Sequence, residues 1–245
     1  MNLDTIISHF SADEGKTPTD RQELVKSRFF QNKNKSHAYV LLPPWGQKLI
    51  FFAPLRKRIL QKGDCLLEYE FVKGILTADC RLSLHYSRYI FNKIIKDLKN
   101  LKKGGIKQFT VIGTSVGSMV AIKTANHEPA VKKLILNTPG NCQAEIIWSS
   151  IRLRYIKKYL EKQGMSITKL KKLWEEMLPE NNLDKLKGKE LFINLSRADL
   201  VVPYANGQKL VGKMREIGLN PTVMENNNLG HYLTILKYYF SPNII

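Results

Sequence analysis

Phe109-Thr110-Val111-Ile112-Gly113-Thr114-Ser115-Val116-Gly117-Ser118 is the stretch on which the architecture turns. Its first four residues are aromatic or β-branched and read as a buried strand within Gln108 to Ile112. Val116 to Asn126 reads as helix, with no room for a loop between the two. A chain that passes at once from strand to helix turns sharply, and Ser115 sits on that turn. Its hydroxyl is thereby exposed above the end of a sheet. Gly113 and Gly117 flank it because a side chain at either place would collide with neighbouring backbone. The start of the following helix favours negative charge that develops nearby. The pentapeptide G-x-S-x-G is weak by itself: with Gly and Ser each near 7% of residues, a chain this long matches by chance about one time in ten. An ordinary Gly-rich turn or a phosphate-binding turn is the plain alternative. The sequence holds neither G-x-x-x-x-G-K-[ST] nor G-x-G-x-x-G after a strand.

Outward from this stretch, strands and helices alternate, the pattern of a parallel sheet with helices on both faces. His37 to Leu42 is a strand ended by Pro43-Pro44, and Cys65 to Val72, Val131 to Leu136, Glu190 to Leu195 and Pro221 to Glu225 are further strands. Helices are predicted over residues 46–62, 79–103, 203–217 and 233–240. From Gly140 to about Leu186 the alternation stops and only basic amphipathic helix is legible. The first 36 residues are polar, with a helix predicted from Thr19 to Phe30. The expected fold class is α/β, one domain over residues 1–245, with a mostly parallel sheet of about six strands and a helical insertion at 141–186.

Lys and Arg total 39 against 21 Asp and Glu, a net charge of +18. Such an excess invites a nucleic-acid or anionic-membrane partner. The lysines are spread along helices among acids, and the chain is also rich in Asn and Ile, so a general compositional bias is the simpler account. No zinc-finger, RRM or KH signature accompanies the charge, and nucleic acid is not an expected partner. Cys65, Cys80 and Cys142 form neither a disulfide framework nor a zinc motif and are expected to serve packing. No apolar run is long enough to span a bilayer and no signal peptide is legible, so a cytoplasmic location is expected.

A serine hydroxyl needs a base. Of the five histidines, His231 follows the last strand in Asn228-Leu229-Gly230-His231, just before the closing helix. The base needs a carboxylate to hold its tautomer. Asp199 lies in Ser196-Arg197-Ala198-Asp199-Leu200, directly after the strand Glu190 to Leu195. A lone histidine is more often structural, and an aspartate after a strand is often a turn or cap residue. The order Ser, Asp, His nevertheless suits one strand-end site.

The turn around Ser115, the loop RADLVVP and the loop NLGHY together resemble the α/β-hydrolase family over roughly residues 38 to 240. The resemblance implies Ser115 as nucleophile, Asp199 as acid and His231 as base of a serine esterase, lipase or thioesterase. It implies no metal or organic cofactor. The family's other position for the acid, after Val131 to Leu136, holds Asn137 and Asn141, which favours Asp199. Where the family has His-Gly after the first core strand, this chain has Pro43-Pro44-Trp45-Gly46. Proline has no N–H, so the oxyanion hole is assigned to the backbone N–H groups of Trp45 and Val116. The family's N-terminal antiparallel hairpin is not expected here. By the same resemblance, 141–186 is a lid, and Trp45, Thr114, Trp148, Trp174 and Val202 are pocket candidates. The lid's basic face, with Arg152, Arg154, Lys157 and Lys158, could attract an anionic membrane surface or simply face solvent. The expected activity is hydrolysis of a carboxylic ester or thioester. An acyltransferase with the same residues and a non-catalytic binding protein are the alternatives, and the oligomeric state is not legible.

Overall fold

The computed structural model describes residues 25–46, 48–71, 75–77 and 79–241. Seven strands form one sheet: β1 (Val25–Phe30), β2 (Asn34–Leu42), β3 (Asp64–Phe71), β4 (Gln108–Thr114), β5 (Val131–Asn137), β6 (Glu190–Ser196) and β7 (Thr222–Asn226). Their spatial order is β1-β3-β2-β4-β5-β6-β7. All neighbours are parallel except β1 and β3. The order reverses between β3 and β4, so their connections leave on opposite faces, and such a reversal opens a crevice at the strands' carboxyl ends.

The helices are α1 (Ala53–Gln61), α2 (Cys80–Lys103), α3 (Val116–His127), α4 (Gln143–Ser149), α5 (Arg154–Lys162), α6 (Ile167–Leu173), α7 (Tyr204–Glu216) and α8 (His231–Phe240). Alternation along the strands divides the interior into two layers. Ala38, Val40 and Leu42 of β2 face a core shared with α2, α3 and the helices after β5. Tyr39 and Leu41 face the other core, built on Leu55 and Ile59 of α1 and Ile235, Tyr238 and Tyr239 of α8. Cys65, Cys80 and Cys142 are buried free thiols. Among the described residues no helix is long and apolar enough to cross a membrane.

Two expectations are corrected. The expected sheet of about six strands has seven, because Val25–Phe30 is an antiparallel edge strand and not the end of a helix. The rest of the helix predicted from Thr19 lies outside the described residues. The strand forms because its charges meet opposite charges across the ladder: Lys26 stands opposite Glu70 and Arg28 opposite Glu68. Glu68 is fully buried and takes a two-pronged bond from Arg56, Nε to Oε2 and Nη2 to Oε1, each 2.9 Å. Burial pushes the Glu68 carboxyl up from its ordinary value, and Arg56 and Arg28 pull it back. The helix expected from residue 46 is delayed as well. A turn and a short 3-10 segment, Leu49–Phe52, come first, and α1 begins where Pro54 fits a first helical turn.

Between β5 and β6 the described residues form α4, α5, α6 and short 3-10 turns, without a strand. Polar contacts fasten this segment to the sheet helices. Trp174 Nε1 donates to Cys80 O at 2.8 Å. Lys213 of α7 pairs with Glu180 at 2.6 Å. Glu145 of α4 accepts from Lys209 of α7 at 2.9 Å and from Asn141 at 3.1 Å, and pairs with Lys171 of α6. Burial raises the Glu145 carboxyl, but the bonds from Lys171, Lys209 and Asn141 outweigh it and bring the pKa down to about 2. A depressed carboxylate contributes stability above its unfolded pKa and loses it as pH falls toward the folded value. Glu145→Gln is therefore expected to lower stability at pH 7 by about 1–3 kcal/mol. Thermal melts of both proteins should show that difference shrinking as pH falls from about 4.5 toward 2.

Candidate active site

β4 ends at Thr114, α3 begins at Val116, and Ser115 makes the turn alone, with φ 53° and ψ −120°. A non-glycine residue at positive φ is strained and persists only where its surroundings hold it. Here the Ser115 N–H donates to Asn137 O at 2.8 Å, and the Ser118 N–H donates to Ser115 O at 2.9 Å. Ser118 Oγ donates to Gly113 O at 3.0 Å. The two glycines give α3 its position. A Cβ on Gly117 would lie 2.5 Å from Pro43 O and 2.6 Å from Leu42 O; one on Gly113 would lie 2.5 Å from Ala121 Cβ.

His231 opens α8, and Asp199 lies in the loop after β6. His231 Nε2 is 3.1 Å from Ser115 Oγ, and His231 Nδ1 is 2.7 Å from Asp199 Oδ2. The other carboxylate oxygen, Asp199 Oδ1, accepts from the backbone N–H groups of Val201 and Val202, each at 2.8 Å. These bonds fix the carboxylate plane, so Oδ2 is left to orient the imidazole. Asp199 and His231 are 6% and 5% exposed, which keeps water from competing for the bond between them. Ser196 Oγ bonds to Leu229 O, tying the two loops that carry acid and base.

A cleft open to solvent lies over Ser115 and His231. It is lined by Trp45, Val116 and Val202 among the sequence candidates, and by Met119, Gln143 and Ile146, which sequence did not single out. Met119 is one helical turn beyond Ser115, so helical spacing could have found it. Gln143 carries no comparable signal. Val116 is the first residue of α3, and N–H groups of a first turn have no partner within their helix. Trp45 lies in a turn after β2, facing the same cleft.

Three pocket candidates lie elsewhere. Thr114 is buried beneath the turn, where its hydroxyl meets Tyr239 at 3.2 Å and Asn137 at 3.4 Å. Trp148 packs against the core and does not reach the cleft. Trp174 lines a smaller pocket beside the cleft, which shares Leu76, Val116, Met119 and Gln143 with it. Asn137 works under the turn, accepting from Asn194 Nδ2 at 2.7 Å.

Sheet order, strand-end turn and helix placement are those of the α/β-hydrolase fold, and this chain has that fold. No family model matches the sequence, and no curated protein matches it. Solved structures do match. A monoacylglycerol lipase of Paleococcus ferrophilus superposes with a TM-score of 0.56 at 13% identity, covering 89% of this chain and 99% of its own. The Est1E protein of Butyrivibrio proteoclasticus, solved with ferulic acid, gives 0.62 at 12% identity, covering 88% and 92%. An acetyl xylan esterase of Paenibacillus sp. R4 gives 0.62 at 11% identity, covering 88% and 78%.

The packing at Gly117 sets a test of the site's foundation. Gly→Ala in a helix interior ordinarily stabilises by about 0.5–1 kcal/mol. At Gly117 the added methyl would overlap main-chain oxygens. Gly117→Ala is expected instead to destabilise by about 1–3 kcal/mol, read from the denaturant midpoint.

Proposed function

We propose that this chain is a serine hydrolase acting on small-molecule carboxylic esters or thioesters through an acyl-enzyme on Ser115. The observation that carries this is the continuous hydrogen-bond chain Ser115 Oγ, His231 Nε2, His231 Nδ1, Asp199 Oδ2, at 3.1 and 2.7 Å, opening on a cleft. A scaffold that only binds has no need of all three groups in contact, two of them buried. The fold neighbours named above as a lipase and an esterase support ester hydrolysis as the reaction class.

Asp199 accepts from Nδ1–H, which leaves the Nε2 lone pair facing the serine hydroxyl. As Ser115 Oγ bonds to the acyl carbonyl carbon, Nε2 takes its proton. Negative charge moves onto the carbonyl oxygen, where the N–H groups of Val116 and Trp45 receive it. The imidazolium, stabilised by Asp199, then gives its proton to the departing alcohol or thiol. A water molecule enters, His231 takes one proton from it, and its oxygen bonds to the acyl carbon. Collapse of that second intermediate returns a proton to Ser115 and releases the acid. The segment 141–186 acts as a cap, because Gln143, Ile146 and Leu153 from it roof the cleft.

A fluorophosphonate probe is expected to label the intact protein once, on the peptide holding Ser115, and to leave Ser115→Ala unlabelled. An unlabelled wild type, or equal labelling of both, would contradict the assignment. Asp199→Asn keeps the shape but loses the tautomer control. It is expected to lower kcat by about a thousand- to ten-thousand-fold on any p-nitrophenyl ester the wild type hydrolyses.

A further inference from the structure

α8 is apolar on both sides. Ile235, Tyr238 and Tyr239 face the core. The opposite side is open to solvent and carries Tyr232, Leu233, Leu236 and Phe240, with Tyr232 69% and Phe240 66% exposed. At about 100° per residue these four fall in one stripe that runs the length of the helix. A helix apolar all round is ordinarily buried, and large apolar side chains left together in water mark a surface that meets a partner. The stripe continues at the mouth of the cleft. Tyr232 lines the cleft as well as opening the stripe. Leu200 and Ile151 are exposed beside that opening: Ser150 Oγ donates to Leu200 O at 3.1 Å, and the neighbouring Val201 and Leu153 line the cleft with Tyr232.

Charge selects the partner. Neither α8 nor Ser150 to Leu160 contains an acid, and both contain bases. Arg152 is exposed and lies within electrostatic reach of the Tyr232 hydroxyl. Lys237 is exposed on the border of the stripe, where its Nζ donates to the neutral Asn226 Oδ1 at 2.9 Å. Among the described residues no acid pairs with either cation. A second copy of the chain, joined about a two-fold axis, would lay this face upon itself. Cation would then meet cation with no acid between them. A layer that is apolar within and anionic at its surface satisfies both features. Aliphatic and aromatic side chains enter its boundary while Lys and Arg stay at the headgroups.

We propose that the outer stripe of α8, with Leu200 and Ile151 at the cleft mouth, docks this protein on an anionic lipid surface. Because Tyr232 belongs to both stripe and cleft, the docked protein would draw esters from the layer toward Ser115. That consequence rests on the hydrolase assignment, whereas the docking itself does not.

The test sediments Ser115→Ala protein, so that no lipid is cleaved, with vesicles of phosphatidylcholine alone or with about one-third phosphatidylglycerol. Binding is expected to be tighter on the anionic vesicles by about tenfold or more, since each base near such a surface adds about fivefold. Leu233→Ser with Phe240→Ser should weaken it by about tenfold or more. The same pair in the wild-type background should leave Tm and the hydrolysis of a soluble p-nitrophenyl ester unchanged. Arg152→Gln with Lys237→Gln should remove most of the preference for anionic vesicles. Three results would overturn the proposal: no vesicle binding, binding that the two serines leave intact, as general attraction to a basic chain would give, or a Tm that the serines lower by several degrees. A dimer in light scattering that the serines convert to monomer would overturn it too, by assigning the stripe to a second copy. Failure of the hydrolase assignment reads out separately, as absence of fluorophosphonate label on wild-type Ser115.

Discussion

The close approach of α3 to the carboxyl end of β2 is the constraint from which the site follows. With hydrogens in place of side chains at Gly113 and Gly117, Ser118 and Ala121 of α3 pack directly on β4 at Gly113, and Gly117 packs on the Leu42 and Pro43 carbonyls. Only then can the chain reverse within one residue and hold Ser115 at φ 53°. The backbone strain at Ser115 is carried by its bond to Asn137 O on the neighbouring strand. Asn137 is in turn held by Asn194 on the next strand. Three adjacent strands thus keep one hydroxyl in place, and the ends of β6 and β7 deliver Asp199 and the loop that leads to His231.

Electrostatics divides between the interior and the periphery. The buried Asp199 and His231 satisfy each other, and the remaining carboxylate oxygen is spent on two main-chain donors. The +18 net charge lies largely outside this arrangement. Where lysines do meet acids, several of the pairs fasten one element to another, as Lys171 and Lys209 do at Glu145 and Lys213 does at Glu180. Exposed pairs of this sort contribute little singly, but networks that share one half-buried acid contribute more.

Much of the site was legible because its residues are punctuation. Ser115, Asp199 and His231 each stand where a strand gives way to a loop or helix, and apolar runs mark those points plainly. Gly113 and Gly117 are readable for the same reason. What stayed hidden depends on contacts distant in sequence. β1 looked like a polar helix because Lys26 and Arg28 find their partners on β3, some forty residues away. Thr114, next to the serine, turned inward to Tyr239, near the other end of the chain. Gln143 reaches the cleft only because the segment after β5 folds back over the sheet, and no periodicity encodes that return. The delayed start of α1 shows the converse: Pro54 was a local signal of where that helix begins.

The central claim is that Ser115 carries the acyl group during turnover. The most direct measurement is mass spectrometry of the protein, acid-quenched within milliseconds of mixing with excess p-nitrophenyl butanoate and then digested. The account predicts one butanoyl group per chain, on the peptide spanning Ser115, formed with the first burst of nitrophenol and lost as substrate runs out. Turnover with no acylated peptide, or with the acyl group on another residue, would contradict it.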